Sequence, residues 1–256
     1  MEGIIIKNQS NNYTVRTKKG IHVCKPRGRF RSDKIIPLVG DNVIIDDINN
    51  YLLEIKPRKN SLIRPTIANI DNAIIVTSVK EPNFDSNLLD KLLTIISYNN
   101  IEPIICLTKL DLLSKELQIR IKEIISYYQK IGYKVVTNDD VKEIKKIIKD
   151  KITVFAGQSG AGKSSLLNRL DKTLSLQTNE ISKALGRGKH TTRCVTLYEI
   201  EDSLVADTPG FSSVDFRGME KIDIRDNMKE MFDNLDKCKY RDCMHIKEDE
   251  CEVKRL

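Results

Sequence analysis

Gly157-Gln158-Ser159-Gly160-Ala161-Gly162-Lys163-Ser164 is the stretch on which the reading of this chain turns. It runs Gly, four residues, then Gly-Lys-Ser, the spacing of a loop that wraps a phosphate chain. The glycines let consecutive backbone N–H groups point inward around a β-phosphate, where a Cβ would obstruct the curvature. Lys163 is placed to bridge β- and γ-phosphate and Ser164 to ligand Mg2+, with a second hydroxyl at Ser165. KITVFA before the loop reads as a buried strand and SSLLNRL after it as a helix, whose N-terminus faces the anion.

A phosphate loop does not select a base, and two further segments do. Asp207-Thr208-Pro209-Gly210 follows the apolar run SLVA, which reads as the strand that carries Asp207 beside the metal. An aspartate there holds Mg2+ through water, and the Gly210 amide senses a γ-phosphate. Thr108-Lys109-Leu110-Asp111 follows the strand-like EPIICL. A carboxylate at Asp111 accepts both N1–H and N2–H of guanine, a donor pair that adenine lacks. Each tetrapeptide alone is an unspecific signal; with the phosphate loop they point to GTP. Their order is unusual, because the base-reading segment ends 46 positions before Gly157 instead of following it. A parallel sheet can be re-cut at an exposed loop without changing which strand ends meet. The chain therefore reads as a circularly permuted α/β GTPase.

Outward from these motifs the chain falls into three parts, taken as 1–60, 66–220 and 221–256. Residues 1–60 contain five strand-like runs (GIIIK, NYTVR, GIHVCK, NVIID, YLLEIK) with turn clusters between them. With a basic loop from Arg27 to Lys34 between the third and fourth, they suit a five-stranded oligonucleotide-binding barrel. PRKNSLIRP, from Pro57 to Pro65, reads as a linker. From Asn69 onward strands and amphipathic helices alternate, which implies a parallel sheet covered on both faces. IRDNMKEMFDNLDKC reads as a helix that opens the last part.

That last part holds Cys238, Cys243, His245 and Cys251 in the pattern C-x4-C-x-H-x5-C. Four such ligands within 14 residues close a tetrahedral zinc site, and full protein ligation leaves no position for a reacting water. The site reads as structural. Cys24, Cys106 and Cys194 are scattered along the chain, which fits a reducing compartment and argues against a disulfide framework.

Composition bounds the remaining functions. Of 256 residues, 40% are hydrophobic and 31% charged, the balance of a globular and not a disordered chain. The apolar runs are as short as Ala73 to Val76, so no transmembrane helix is expected, and the N-terminus lacks the marks of a secretory signal. Net charge is concentrated: residues 1–65 carry 13 Lys/Arg against 6 Asp/Glu, and the remaining 191 carry 30 of each. Eight of those bases lie within the 19 residues 16–34, which hold one acid, Asp33. A basic segment on a neutral body is attracted to a polyanion, and RNA suits it better than membrane because no amphipathic helix accompanies it. Lys25, Arg27, Arg29 and Arg31 are the candidate contacts; a merely solvated basic face is the plainer alternative.

Taken together, basic barrel, TKLD, GQSGAGKSSLLN, GRGKHTT, DTPGFSS and the Cys/His tail resemble the small ribosomal subunit biogenesis GTPases of the RsgA (YjeQ/YloQ) family over essentially the whole chain. The resemblance implies a cytoplasmic, monomeric GTPase that binds GTP and GDP, docks on the 30S subunit late in assembly, contacts 16S rRNA and leaves on hydrolysis. It implies one structural zinc, Mg2+ with the nucleotide, and no membrane partner. Gly186 to Thr192 then corresponds to the switch segment, with Thr191 or Thr192 as a Mg2+ ligand. Phe211 stands where many GTPases place a water-orienting Gln, so His190 becomes the candidate that orients the attacking water. Three departures matter. Its base-reading motif begins with Thr108 instead of the Asn commoner among GTPases, as the resemblance to this family allows. VVTNDD (Val135 to Asp140) stands where a Ser-Ala guanine loop is sought, so no residue is assigned there. The chain also ends five residues after Cys251 where relatives continue with a helical extension, which implies a less supported zinc module.

Three functions compete at this point. One is a ribosome-stimulated GTPase. The second is a nucleotide-gated RNA-binding assembly factor with negligible catalysis. The third, an RNA-free metabolic phosphotransferase, is at odds with the lopsided charge.

Overall fold

The computed structural model describes residues 1–32, 35–63, 65–174, 176, 195–207 and 216–256. Five strands, β1 (Glu2–Gln9), β2 (Asn12–Thr17), β3 (Gly20–Pro26), β4 (Asn42–Asp46) and β5 (Tyr51–Ile55), close into a barrel in the order β1-β2-β3-β5-β4. Alternation decides which side chains enter it: Ile5, Val15, Cys24, Val43 and Leu52 are fully buried, with Tyr13 and Ile45 nearly so. This is the strand order of an oligonucleotide-binding barrel. The basic segment between β3 and β4 is not simply a loop, because Gly28–Ser32 forms a short helix, α1, pinned by buried Phe30. Lys25 and Arg27 are exposed; the side chains of Arg29 and Arg31 lie outside the described residues.

The expected linker is instead a packed strap. β6 (Ser61–Ile63) and β7 (Thr66–Ala68) pair as a hairpin that buries Leu62 and Ile67, and Val39 bridges to Ile67. Beside it the fully buried carboxylate of Asp41 receives the Arg58 guanidinium at 2.6 and 2.8 Å and the Leu38 amide at 2.7 Å. Reading PRKNSLIRP by its prolines and charges missed the cross-strand pair of Leu62 with Ile67, which needed a surface to bury against.

The next part is a six-stranded sheet, ordered β10-β9-β8-β11-β13-β12. Its strands are β8 (Asn72–Ser78), β9 (Glu102–Thr108), β10 (Lys134–Thr137), β11 (Ile152–Ala156), β12 (Leu197–Ile200) and β13 (Ser203–Asp207). All neighbours are parallel except β12, which runs antiparallel at one edge. Every residue of β11 is buried, as the continuous apolar run requires of a central parallel strand. Helices α2 (Ser86–Tyr98) and α3 (Lys115–Lys130) cover one face through Leu89, Leu93, Ile121 and Tyr128, against Ile75, Ile105 and Val154. Helices α4 (Val141–Ile148) and α5 (Lys163–Leu170) cover the other through Ile144, Ile147 and Leu167, against Ile74, Ile104 and Phe155. The first of these apolar layers is continuous with the barrel interior. The barrel also meets the sheet edge, through the Lys7–Thr196 bridge and an Arg16–Glu199 ion pair at 2.7 Å.

The segment expected as one helix before the cysteines is broken. α6 (Lys221–Asp226) and α7 (Lys229–Phe232) are separated where Met228 takes extended geometry, φ −95° and ψ 108°. These pieces dock on the GTPase body. Tyr127 donates to Glu230 at 2.9 Å, and Lys229 donates to the Gly132 carbonyl at 2.8 Å while lying over the Tyr133 ring. Among the described residues no helix is long and apolar enough to cross a membrane.

Candidate nucleotide site and metal centre

The phosphate loop leaves the C-terminal end of β11, the base-reading segment that of β9, and Asp207 ends β13. All three meet at the edge of a parallel sheet where ligands of such folds bind. At Gly157, φ is +134° and a Cβ would lie 2.1 Å from the Val76 carbonyl oxygen of β8, so only glycine permits the loop to start this close to its neighbour. Gly162 takes left-handed geometry, φ +95°, and begins α5. Lys163 is buried, and its ammonium points back into the loop, donating to the carbonyls of Gly157 at 2.8 Å and Gln158 at 3.0 Å. The cation is thereby held at the loop by two of its backbone carbonyls. Ser164 is half-buried in the first turn of α5, while Ser159, Gly160 and Ser165 are exposed.

Thr108 joins the two halves. Its hydroxyl, buried at 3% exposure, donates to the Ala161 carbonyl at 2.7 Å across 53 residues of sequence. Lys109 takes left-handed geometry, φ 62°, which turns the chain into the short 3-10 segment Leu110–Leu112 that presents Asp111 at the surface. The fold thus brings Thr108 and Lys109 to the same sheet edge as the phosphate loop, with Asp111 on the following turn.

Asp207 pairs in register with Phe155, two residues before Gly157, so its backbone is level with the start of the loop; its side chain lies outside the described residues. Gly210, Phe211, His190, Thr191 and Thr192 also lie outside them. Sequence reasoning left Val135 to Asp140 unassigned. The end of that segment flanks the base-reading strand, since the Asn138 amide donates to the Leu107 carbonyl at 2.9 Å. Its turn is closed by the Asp140 carboxylate, which accepts from the Thr137 amide at 2.8 Å and hydroxyl at 2.9 Å. Asp139 pairs with Arg169 of α5 at 2.9 Å. Only strand adjacency reveals this placement, because TNDD carries no recognisable spacing.

At the other end of the chain, one ligand atom from each of Cys238, Cys243, His245 and Cys251 lies within 4.8 Å of the others. The His245 Nδ1 atom sits 3.6, 3.5 and 3.3 Å from the three sulfurs in that order. A tetrahedral zinc with bonds of about 2.0–2.3 Å has ligand–ligand edges of roughly 3.5–3.8 Å, so the donor set and its size fit that ion. His245 takes left-handed geometry, φ 59°, which turns Nδ1 inward, and its buried Nε2 has no hydrogen-bond partner among the described residues. The intervening turn is held by Glu248, whose carboxylate accepts from the Met244, Ile246 and Lys247 amides at 2.8–3.0 Å. The Met244 amide bond leads these donors in holding the carboxyl down at about 2. Glu248 was not singled out from sequence; a carboxylate three residues after a ligand histidine is too common to stand out.

A phosphate loop tied to a base-reading turn that is encoded upstream of it, on one parallel sheet, defines a GTPase with a circularly permuted chain order. The comparisons agree. The RsgA GTPase family matches residues 55–217 and the RsgA N-terminal domain family residues 2–51. The chain is 47% identical to the small ribosomal subunit biogenesis GTPase RsgA of Enterococcus faecalis, over 100% of this chain and 88% of that protein. It is 50% identical to RsgA 2 of Oceanobacillus iheyensis, over 99% and 89%. Among solved structures, YloQ, described as a circularly permuted GTPase, superposes with a TM-score of 0.83 at 40% identity, over 99% of this chain and 86% of that one. YjeQ from Thermotoga maritima gives 0.84 at 32% identity, over 99% and 90%. The chain belongs to the RsgA family and is a GTP-hydrolysing enzyme.

Proposed function

We propose that this GTPase acts in maturation of the small ribosomal subunit, binding 16S rRNA on the 30S particle and leaving when GTP is hydrolysed. The relatives' names support the subunit, and the Thr108–Ala161 hydrogen bond carries the nucleotide half of the reading. GTP lies with its phosphates in the loop from Gly157 to Ser165 and its base against Asp111, with Lys109 alongside. Ser164, Asp207 and one of Thr191 and Thr192 would hold Mg2+, which would supply neutralisation of phosphate charge. Lys163 draws charge from the transferring phosphoryl group, the Gly210 amide reads the γ-phosphate, and His190 orients the attacking water.

Positioning and charge neutralisation supply most of the rate in phosphoryl transfer. With Phe211 in place of a water-orienting Gln, hydrolysis is slow until the ribosomal particle orders the switch segment. One zinc ion held by Cys238, Cys243, His245 and Cys251 stabilises the third part of the chain, and the three parts divide as 1–60, 66–220 and 221–256. The protein works in the cytoplasm as a monomer.

Single-turnover GTP hydrolysis with and without 30S particles tests the proposal, and strong stimulation is expected. Particle binding without stimulation would favour a nucleotide-gated RNA-binding factor instead. For the barrel, neutralising Arg27, Arg29 and Arg31 should flatten the salt dependence of RNA binding by about 0.7 in log–log slope per lost phosphate contact. An unchanged slope would remove these residues from the interface.

A further inference from the structure

The phosphate loop follows β11 and the base-reading turn follows β9, so the loop that leaves β8 emerges between the two halves of the nucleotide site. It touches both. Pro82 Cδ lies 3.6 Å from where a Cβ on Gly160 would stand. The Lys109 ammonium donates to the Glu81 carbonyl. The Lys80 ammonium donates to the carbonyl of Leu112 at 3.3 Å, one residue past Asp111. Ser78, itself buried, shapes the loop: its hydroxyl donates to the Lys80 carbonyl at 2.6 Å and accepts from the Lys80 amide at 3.3 Å. On its other side Val79, Lys80, Asn83 and Phe84 wall an open cleft of about 950 Å3 between α2 and α3. Val79 is buried and Phe84 packs on the apolar layer, so packing fixes both ends of this stretch and the hydrogen bonds set Lys80 between them.

The turn that carries Asp111 needs such support. Leu110 packs partly buried against the apolar layer, but Asp111 and Leu112 are exposed, so packing anchors the start of the turn and leaves the carboxylate's own position to hydrogen bonds. Two parallel hydrogen bonds to a guanine edge require both donors to meet the carboxylate in plane, and a small displacement loses one of them first.

We propose that Ser78 and Lys80 are positioning residues for guanine discrimination, bracing the Asp111 turn against the phosphate loop. This rests on the reading of Asp111 as the guanine acceptor.

Inosine nucleotides lack the 2-amino group, so the ratio of IDP to GDP dissociation constants reports the N2–H contact alone. In the full-length protein, Lys80→Ala is expected to lower that ratio about threefold, the loss of part of one hydrogen bond. Lys80→Arg should restore it, and Ser78→Ala should lower it by a similar factor. A Lys80→Ala protein with an undiminished ratio would overturn the proposal alone, as would equal weakening of GDP and IDP. A wild-type protein that bound GDP and IDP alike would overturn the guanine reading and the proposal with it. Lys80 is half-buried at the surface, so its replacement leaves the core intact.

Discussion

The nucleotide site and the metal centre are built in opposite ways. Thr108 and Ala161 stand 53 residues apart and meet because β9 and β11 flank β8 in a sheet buried on both faces. The four metal ligands lie within 14 residues and meet because a short chain coils on itself. Burial differs accordingly. β11 is buried throughout, and each large apolar side chain there contributes about 1.5–3 kcal/mol. In residues 221–256 the buried side chains are Arg225, Cys243, His245 and Cys251, with no aliphatic residue among them. The first region is held by its hydrophobic layers, whatever the state of the proposed nucleotide site. The second has a cluster of candidate ligands in place of a core, so on the proposed reading coordination does there what packing does in the sheet.

Removing the metal is the largest test of that contrast. Structural zinc binding amounts to about 10–16 kcal/mol of apparent free energy near neutral pH, so a chelator or Cys243→Ser should unfold residues 221–256. Metal analysis should fall from one zinc per chain to none, and hydrogen exchange should lose its protection there while β8 and β11 keep theirs. A metal-free module that retained protection would break the comparison.

Lys163→Ala should do the reverse, leaving zinc content unchanged and weakening GTP by roughly a hundredfold or more, the cost of about 3 kcal/mol for truncating one partner of a buried charge contact. Equilibrium binding reads the effect. Asp111→Asn is expected to shift preference from GTP towards XTP by about ten- to a hundredfold, since bidentate base contacts carry about 1–3 kcal/mol of discrimination. Retained GTP selectivity would remove Asp111 from the base contact. Smallest of all, Tyr127→Phe deletes the exposed hydrogen bond that ties Glu230 of the metal-bearing part to the GTPase body. It should cost at most about 1 kcal/mol of unfolding free energy in residues 221–256, read by denaturant titration, and leave nucleotide affinity alone. A loss of GDP affinity in that variant would show the two regions to be coupled after all.

Both regions could be read far in advance. Cys238, Cys243, His245 and Cys251 announced their site through spacing, because local chain geometry limits how a 14-residue segment can gather four ligands. The glycines of the phosphate loop were equally legible, and Gly157 shows why: no other residue fits against the Val76 carbonyl. Two things misled the reading. Leu62 was passed over inside a charged, proline-bounded stretch and Ile67 just beyond it, and IRDNMKEMFDNLDKC kept helical spacing across a break at Met228. In both, what decided the outcome was a surface elsewhere in the molecule.

Motif spacing and motif order were thus in the sequence itself: a glycine-rich loop before a helix, the candidate base-reading segment upstream of it, four candidate metal ligands close in the chain and a basic first segment. Periodicity added the strand and helix sequence from which a permuted parallel sheet follows. Only the tertiary structure decided which strands are neighbours, and with that the meeting of Thr108 with Ala161, the placing of Thr137 to Asp140 beside β9, and the interposition of Ser78 to Asn83 between the two motifs. Adjacency in a sheet arises from long-range burial of apolar faces, and residue spacing along the chain does not encode which distant face a given strand will meet.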